Sequence, residues 1–287
     1  MAFAPGMDRI ISTPIDTRDA WIPTPQGRLH ARHWSAGDGD GDGDGRAPIV
    51  LFHDSLGSAA LWRDFPERLV RATGHSVIAY DRLGYGQSDR HPGAQGLGFV
   101  LEEARVGFPA VRDAFGLDGF ILFGHSIGGG MAIACAAAFP DACRALVVES
   151  SQLFVEPHTL AGIRDAEAFF ARPGQLDRLA KYHGDKAAWA LQAWIGTWFD
   201  PGFADWNLDA QLAQLRCPVL AIYGDQDEYG TLAHPARIER GLKTQMTLRV
   251  MEGCGHFPHR EQGDIVADAT ARWLERECLR RNPASPG

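Results

Sequence analysis

No uninterrupted apolar run in this sequence reaches the roughly 20 residues that a membrane-spanning helix needs. The stretch from Met1 to Asp19 has no basic start followed by an apolar centre, so no export signal is expected and the protein should be cytoplasmic. Nor is there a basic stripe. The formal charge is −8, and four of the acids, Asp38, Asp40, Asp42 and Asp44, fall in one Gly-Asp repeat, leaving a body near −4. Nucleic acid and anionic membranes are therefore not expected as partners. The five cysteines, Cys135, Cys143, Cys217, Cys254 and Cys278, are odd in number, scattered and free of C-x-x-C spacing. That argues against a disulfide framework or a zinc site and for small core residues in a reducing compartment. The Asp-x-Asp-x-Asp spacing between Gly37 and Gly45 resembles a calcium loop only superficially, because no distal Glu follows, and it reads as a solvated loop. No metal and no cofactor is expected.

With 45% hydrophobic and 22% charged residues over 287 positions, the chain should be globular with a sizeable core. Its organising stretch is Gly119 to Gly130, G-F-I-L-F-G-H-S-I-G-G-G. Phe120 to Phe123 is an apolar run bounded by glycines, and an Ala-rich segment from Met131 to Phe139 follows, so a buried strand turns directly into a helix at Ser126. Gly124 and Gly128 flank that serine in G-x-S-x-G. Small neighbours let such a turn close tightly, lift the hydroxyl to the top of the sheet and place it at a helix N-terminus, whose free N–H groups favour developing negative charge. Ser126 is the candidate nucleophile. The competing reading of the same glycines is a packing turn.

Short apolar runs alternate with helical stretches. Pro48–Phe52, Ser76–Tyr80, Ala145–Glu149, Cys217–Tyr223 and Met246–Met251 read as further strands, and Ala59–Ala72, Gly98–Phe115, Leu232–Leu242 and Glu261–Leu279 as helices. This predicts an α/β fold with a mostly parallel sheet covered on both faces, and ligands at the carboxyl ends of the strands. Residues 1 to 18 read as a loosely held arm, Trp21 to Trp34 as two antiparallel edge strands turning at Gln26-Gly27, and residues 280 to 287 as a frayed tail. Between Ser151 and Trp206 helical stretches follow one another without an evident strand, and ten of the 28 aromatic residues lie there. The chain thus divides into 1–150, an inserted helical layer 151–206, and 207–287. Most of the inserted rings are expected to dock the layer on its host, and some to line an apolar pocket over Ser126.

A serine hydroxyl needs a base, and the base an orienting acid, all on loops after strands. Among eleven histidines, His256 combines a Gly-flanked loop, Gly253-Cys254-Gly255, with a place just after the last strand. His259 is the runner-up, read as a surface or supporting residue, and His125 should point away from the site. For the acid, Asp227 follows the strand ending at Tyr223, with Asp225 and Glu149 as alternatives. The chain order is Ser, Asp, His.

These residues together resemble the α/β-hydrolase superfamily, in particular its serine-nucleophile members with a helical cap. The resemblance rests on Gly124 to Gly128, the D-x-x-G-x-G-x-S stretch from Asp81 to Ser88, the G-x-x-D from Gly224 to Asp227 and the G-H-F from Gly255, and it covers most of the chain. It implies an eight-stranded, mainly parallel sheet flanked by helices, with a cap inserted after the sixth strand, and Asp227 as the acid. One departure stands out. Family members usually carry His-Gly after the third strand, and here the pair is His53-Asp54. The resemblance places the oxyanion-hole N–H groups at Ser55 and Ile127, and Asp54 is expected to turn outward and pair with an arginine or backbone donors, since a carboxylate in the hole would oppose the charge formed there. The expected activity is hydrolysis of an ester-type bond (carboxylic ester, thioester or lactone) in a small, partly apolar substrate through an acyl-enzyme, as in a carboxylesterase. The alternatives are a carbon–carbon bond hydrolase of the ring-cleavage type and a non-catalytic small-molecule receptor.

Overall fold

A computed structural model describes residues 14–37 and 46–281, with side chains through residue 277. The first thirteen residues, the Gly-Asp repeat from Asp38 to Gly45 and residues 282–287, where most of the N-terminal arm, the solvated loop and the tail were expected, lie outside the described residues.

Eight strands form one sheet in the order β1-β2-β4-β3-β5-β6-β7-β8. They are β1 (Ile15–Thr24), β2 (Gly27–Ala36), β3 (Ile49–Phe52), β4 (Val77–Tyr80), β5 (Phe120–His125), β6 (Cys143–Glu149), β7 (Val219–Gly224) and β8 (Met246–Met251). The β1–β2 and β2–β4 pairs are antiparallel, and every other pair is parallel. The parallel core explains the continuous apolar runs, because a strand covered on both faces has no solvent side to leave polar. Alternate residues divide between two cores. Val50, Phe52, Leu122, Leu146 and Ala221 face one, and Ile49, Leu51, Phe123, Val147 and Ile222 face the other. Each fully buried Phe or Leu in these layers contributes about 1.5–3 kcal/mol relative to exposure.

The helices are α1 (Phe65–Thr73), α2 (Phe99–Glu103), α3 (Gly107–Ala114), α4 (Ile127–Ala138), α5 (Pro157–Phe170), α6 (Gln175–His183), α7 (Ala187–Trp198), α8 (Asp209–Leu212), α9 (Ala233–Gly241), α10 (Pro258–Glu261) and α11 (Gly263–Arg281). Helices α2, α3 and α4 bury residues against the first core, and α1 and α11 against the second. No helix among the described residues is long and apolar enough to cross a membrane.

Four local expectations are corrected. Ile15 to Arg18 belong to β1, paired with Ala36 to His33, and are not part of a loose arm. Strand β2 is internal, because Ala31 to Trp34 pair with β4, and of the two strands only β1 is an edge. The helix expected over 59–72 is a single 3-10 turn, Ala59–Trp62, followed by α1, and the helix expected over 98–115 is α2 and α3. Pro66 and Pro109 account for both breaks, since proline fits the first turn of a helix but cannot continue one from four residues upstream.

The segment between β6 and β7 carries α5, α6 and α7. It leaves the sheet and returns where Phe154 and Asn207 form an isolated antiparallel bridge. Trp198, Phe203 and Trp206 pack on one another at its base, with ring centroids 5.0–6.1 Å apart.

Candidate active site

Ser126 ends β5 and opens α4 with φ 57° and ψ −128°, a conformation that non-glycine residues rarely adopt. The flanking glycines permit it. A Cβ at Gly124 would collide with the Gly128 carbonyl, and one at Gly128 with the Phe52 carbonyl at the end of β3. The tight turn therefore rests on β3, so the loop that follows β3 is held next to the serine. Ile127 is the first residue of α4, where the helix has no acceptor for its N–H. The Ser55 N–H makes no backbone hydrogen bond among the described residues either. Both are free to meet a ligand.

Two more loops converge on Ser126. A Cβ at Gly224 would strike the carbonyls of Cys254 and Gly255, so the end of β7 packs directly on the loop after β8. The Gln226 N–H donates to the Cys254 carbonyl at 2.9 Å, and the Gly253 N–H donates to Asp225 Oδ1 at 2.8 Å. Asp225, one alternative acid, therefore serves to tie the two loops together. This places His256 Nδ1 2.8 Å from Asp227 Oδ1 and His256 Nε2 3.0 Å from Ser126 Oγ. Asp227 Oδ1 also accepts the N–H groups of Tyr229 and Gly230, at 2.8 and 3.0 Å, which fixes the carboxylate against the imidazole. All three residues are buried, with exposures of 3% for Ser126, 8% for Asp227 and 3% for His256.

Burial pushes the Asp227 carboxyl upward, but the His256 charge and the hydrogen bonds from His256 and the Tyr229 N–H outweigh it and hold the group below its ordinary value. Burial pushes His256 downward, and the Asp227 charge and hydrogen bond, with the charges of Glu228 and Asp54, outweigh it and raise the imidazole above its ordinary value.

A family profile for the alpha/beta hydrolase fold matches residues 47–187. The chain belongs to the α/β-hydrolase superfamily. It is 28% identical to 2-hydroxymuconate semialdehyde hydrolase of Pseudomonas sp. strain CF600 over 255 residues, covering 78% of this chain and 88% of that protein. It is 29% identical to polyketide synthase ThaQ of Burkholderia thailandensis over 259 residues, 82% of this chain but only 12% of that much longer protein. The crystal structure of a thermophilic esterase from Thermogutta terrifontis superposes with a TM-score of 0.67 at 19% identity, covering 91% of this chain and 99% of that one, a likeness of fold alone.

The hydrolase's other candidate residues pair with each other. Glu149 and His259, weighed as alternative acid and base, meet at the end of β6, Glu149 Oε2 to His259 Nδ1 at 2.5 Å, both fully enclosed. His259 is therefore an interior residue and not a surface one. Burial raises the Glu149 carboxyl to about 7 against the lowering influence of His125 and His259, and burial holds His259 well below its ordinary value. His125 turns away from the serine, as expected, and its Nε2 donates to the His256 carbonyl at 2.8 Å. His125, Glu149 and His259 are the one group of potential metal ligands among the described residues, and within it Glu149 and His259 are hydrogen-bonded directly to each other.

Asp54 departs from expectation. Its backbone carbonyl accepts Arg82 Nη2 at 3.0 Å, yet no hydrogen bond or ion pair from the described residues reaches its carboxylate. The carboxylate lies over Gly57, in space that a Cβ there would fill, and faces the same cavity as Ser126. Closure of the turn by the Gly57 N–H on the Asp54 carbonyl, at 3.2 Å, keeps the side chain folded back over the loop.

The cavity has a volume of about 530 Å³. Leu56, Phe169, Phe170, Leu179, Trp194 and Phe257 give it an apolar wall, and Arg178 and Arg260 also line it. Of the ten aromatic residues in the inserted layer, Phe169, Phe170, Tyr182 and Trp194 line this space. Gln152 and Tyr229 also line it and were not singled out in the sequence. Gln152 Oε1 accepts the Ser126 hydroxyl at 3.3 Å, and the Tyr229 ring lies 4.9 Å from that of His256. The signal for both was position alone, just past the ends of β6 and β7.

Proposed function

We infer that this hydrolase cleaves an ester-type bond (carboxylic ester, thioester or lactone) of a small, partly apolar substrate through a covalent acyl-enzyme, with Ser126 as nucleophile, His256 as base and Asp227 as orienting acid. The observation that carries the reading is the continuous hydrogen-bonded chain from Ser126 through His256 to Asp227, at 3.0 and 2.8 Å, opening onto an apolar cavity of about 530 Å³. His256 Nδ1–H donates to Asp227, which leaves Nε2 to take the Ser126 proton as the hydroxyl attacks a carbonyl. Asp227 stays ionised and stabilises the imidazolium. The Ser55 and Ile127 N–H groups receive the oxyanion, aided by the α4 dipole. His256 then protonates the leaving group, and water, deprotonated by the same imidazole, releases the acid.

The test is the Ser126→Ala variant against aryl esters of graded acyl length, with matched thioesters and lactones. The expected result is turnover by the parent enzyme that prefers apolar acyl groups and is lost in the variant while its melting behaviour is kept. Retained ester turnover in Ser126→Ala would overturn the covalent mechanism.

A second reading, hydrolysis of a carbon–carbon bond in a ring-cleavage product, is supported by the likeness to 2-hydroxymuconate semialdehyde hydrolase. It uses the same three residues with a different first step, and turnover of a dienol semialdehyde exceeding that of every ester would favour it. A non-catalytic receptor would hydrolyse none of these substrates and would leave Ser126 unreactive.

A further inference from the structure

Gln152 stands beside the nucleophile with an acceptor whose donor the reaction removes. Its side chain lies just past the end of β6 and is 3% exposed. The amide nitrogen faces the Tyr229 carbonyl at 3.5 Å, which turns Oε1 toward the Ser126 hydroxyl, 3.3 Å away. One hydroxyl proton therefore faces two acceptors, Gln152 Oε1 and His256 Nε2. When attack sends that proton to His256, Oε1 loses the one donor it has among the described residues, and a buried acceptor without a donor is costly. An ester substrate brings nothing to replace it. A secondary amide does, because its leaving nitrogen carries an N–H and sits on the carbon that Oγ attacks, two bonds from Oγ and within the region Oε1 already reaches.

We propose that Gln152 Oε1 accepts the N–H of a secondary-amide leaving group, so that the site hydrolyses amides in addition to esters. This rests on the acyl-enzyme reading above. Ser126 Oγ bonds to the carbonyl carbon while its proton passes to His256 Nε2. The C–N bond then breaks as the nitrogen takes that proton, and the amine departs with the N–H that Gln152 held. Water attacks the acyl-enzyme, the acid leaves, and Ser126 regains a proton. Gln152 thereby favours one class of leaving group, and the acyl half of the substrate remains the business of the apolar wall.

The experiment compares the p-nitroanilide and the p-nitrophenyl ester of one apolar acyl group, on the parent enzyme, Gln152→Leu, Gln152→Met and Ser126→Ala. Both substrates form the same acyl-enzyme, so the ratio of their kcat/KM values reports the leaving-group step alone. The expected result is measurable anilide hydrolysis by the parent, and in both Gln152 variants a fall of the anilide-to-ester ratio by about 10- to 100-fold, the scale of one missing hydrogen bond to a buried acceptor. Labelling of Ser126 by a phosphonate confirms that each variant is folded. Equal losses on both substrates, or ester turnover by the parent with no anilide turnover, would overturn the assignment. Ester turnover that survives in Ser126→Ala would instead contradict the acyl-enzyme on which the proposal stands.

Discussion

His256 sits between two opposed influences, burial that disfavours its charge and the Asp227 carboxylate that favours it, and the second prevails. A base with a raised pKa is protonated over more of the acidic range, so kcat/KM should fall as pH drops through a value above the ordinary histidine figure of about 6.5. Asp227→Asn removes the carboxylate and leaves the burial, so its limb should move to lower pH with a kcat loss of about 10⁴-fold. A pH–rate profile of the two enzymes reads both effects. Glu149 provides a separate test. Its native carboxyl titrates near 7, above its unfolded value, so the folded state holds the proton more tightly and stability should decline as pH rises from about 4.5 to 7. Glu149→Gln should flatten that part of the slope, as read from melting temperature against pH, and an unchanged slope would contradict the assignment. Gln152, Tyr229 and the orientation of Asp54 were not legible at this scale, because a linear sequence does not say which way a side chain turns at a strand end. Asp54 was expected outward for an electrostatic reason that holds for the hole itself, but the absent Cβ of Gly57 offered the carboxylate another place to lie.

Among the elements, the strand–turn–helix unit of β5 and α4 carries the site, and it was legible because its chemistry is encoded locally, in an apolar run, three spaced small residues and an alanine-rich continuation. The same held for β3, β4 and β7, each a short apolar run ahead of a loop that contains glycine. What was misread depended on proline. Pro66 and Pro109 lie inside stretches with helical periodicity, and the missing N–H and the ring decide where the helix can begin. Strand β1 was partly missed for a different reason: Ile15 to Arg18 pair with β2 through the backbone, and an edge strand needs little apolar character. Two glycines give contrasting predictions. Gly128→Ala sets a Cβ against the Phe52 carbonyl, backbone that cannot swing aside, and should cost about 2–4 kcal/mol with loss of Ser126 reactivity. Gly98→Ala meets nothing within 4 Å and has φ −86°, so it should be neutral or stabilise by up to about 1 kcal/mol. Denaturant melts of both variants check the pair.

Across the whole molecule, four loops from β3, β5, β7 and β8 meet at the carboxyl end of one sheet, and the helices between β6 and β7 lie over them. The crossing point was predictable from the α/β pattern, and the wall of the cavity was predictable only as a surplus of aromatics in one segment. Which rings face inward depends on packing: Trp198 and Phe203 are buried at the base of the layer, while Phe169 and Phe170 reach the cavity. Phe169 is 38% exposed, so Phe169→Ala should leave stability nearly unchanged. It should lower kcat/KM for long acyl chains by about 10-fold and for acetyl esters little, on the basis of about 25 cal/mol for each Å² of apolar acyl surface that the missing ring no longer shields from water. The central claim is that the Ser126 hydroxyl is made nucleophilic by the His256–Asp227 pair. The most direct measurement is intact-protein and peptide mass spectrometry after treatment with a fluorophosphonate. The account predicts one adduct per chain, on Ser126, formed far more slowly in His256→Ala and absent in Ser126→Ala; an unlabelled parent enzyme, or an adduct on another residue, would contradict it.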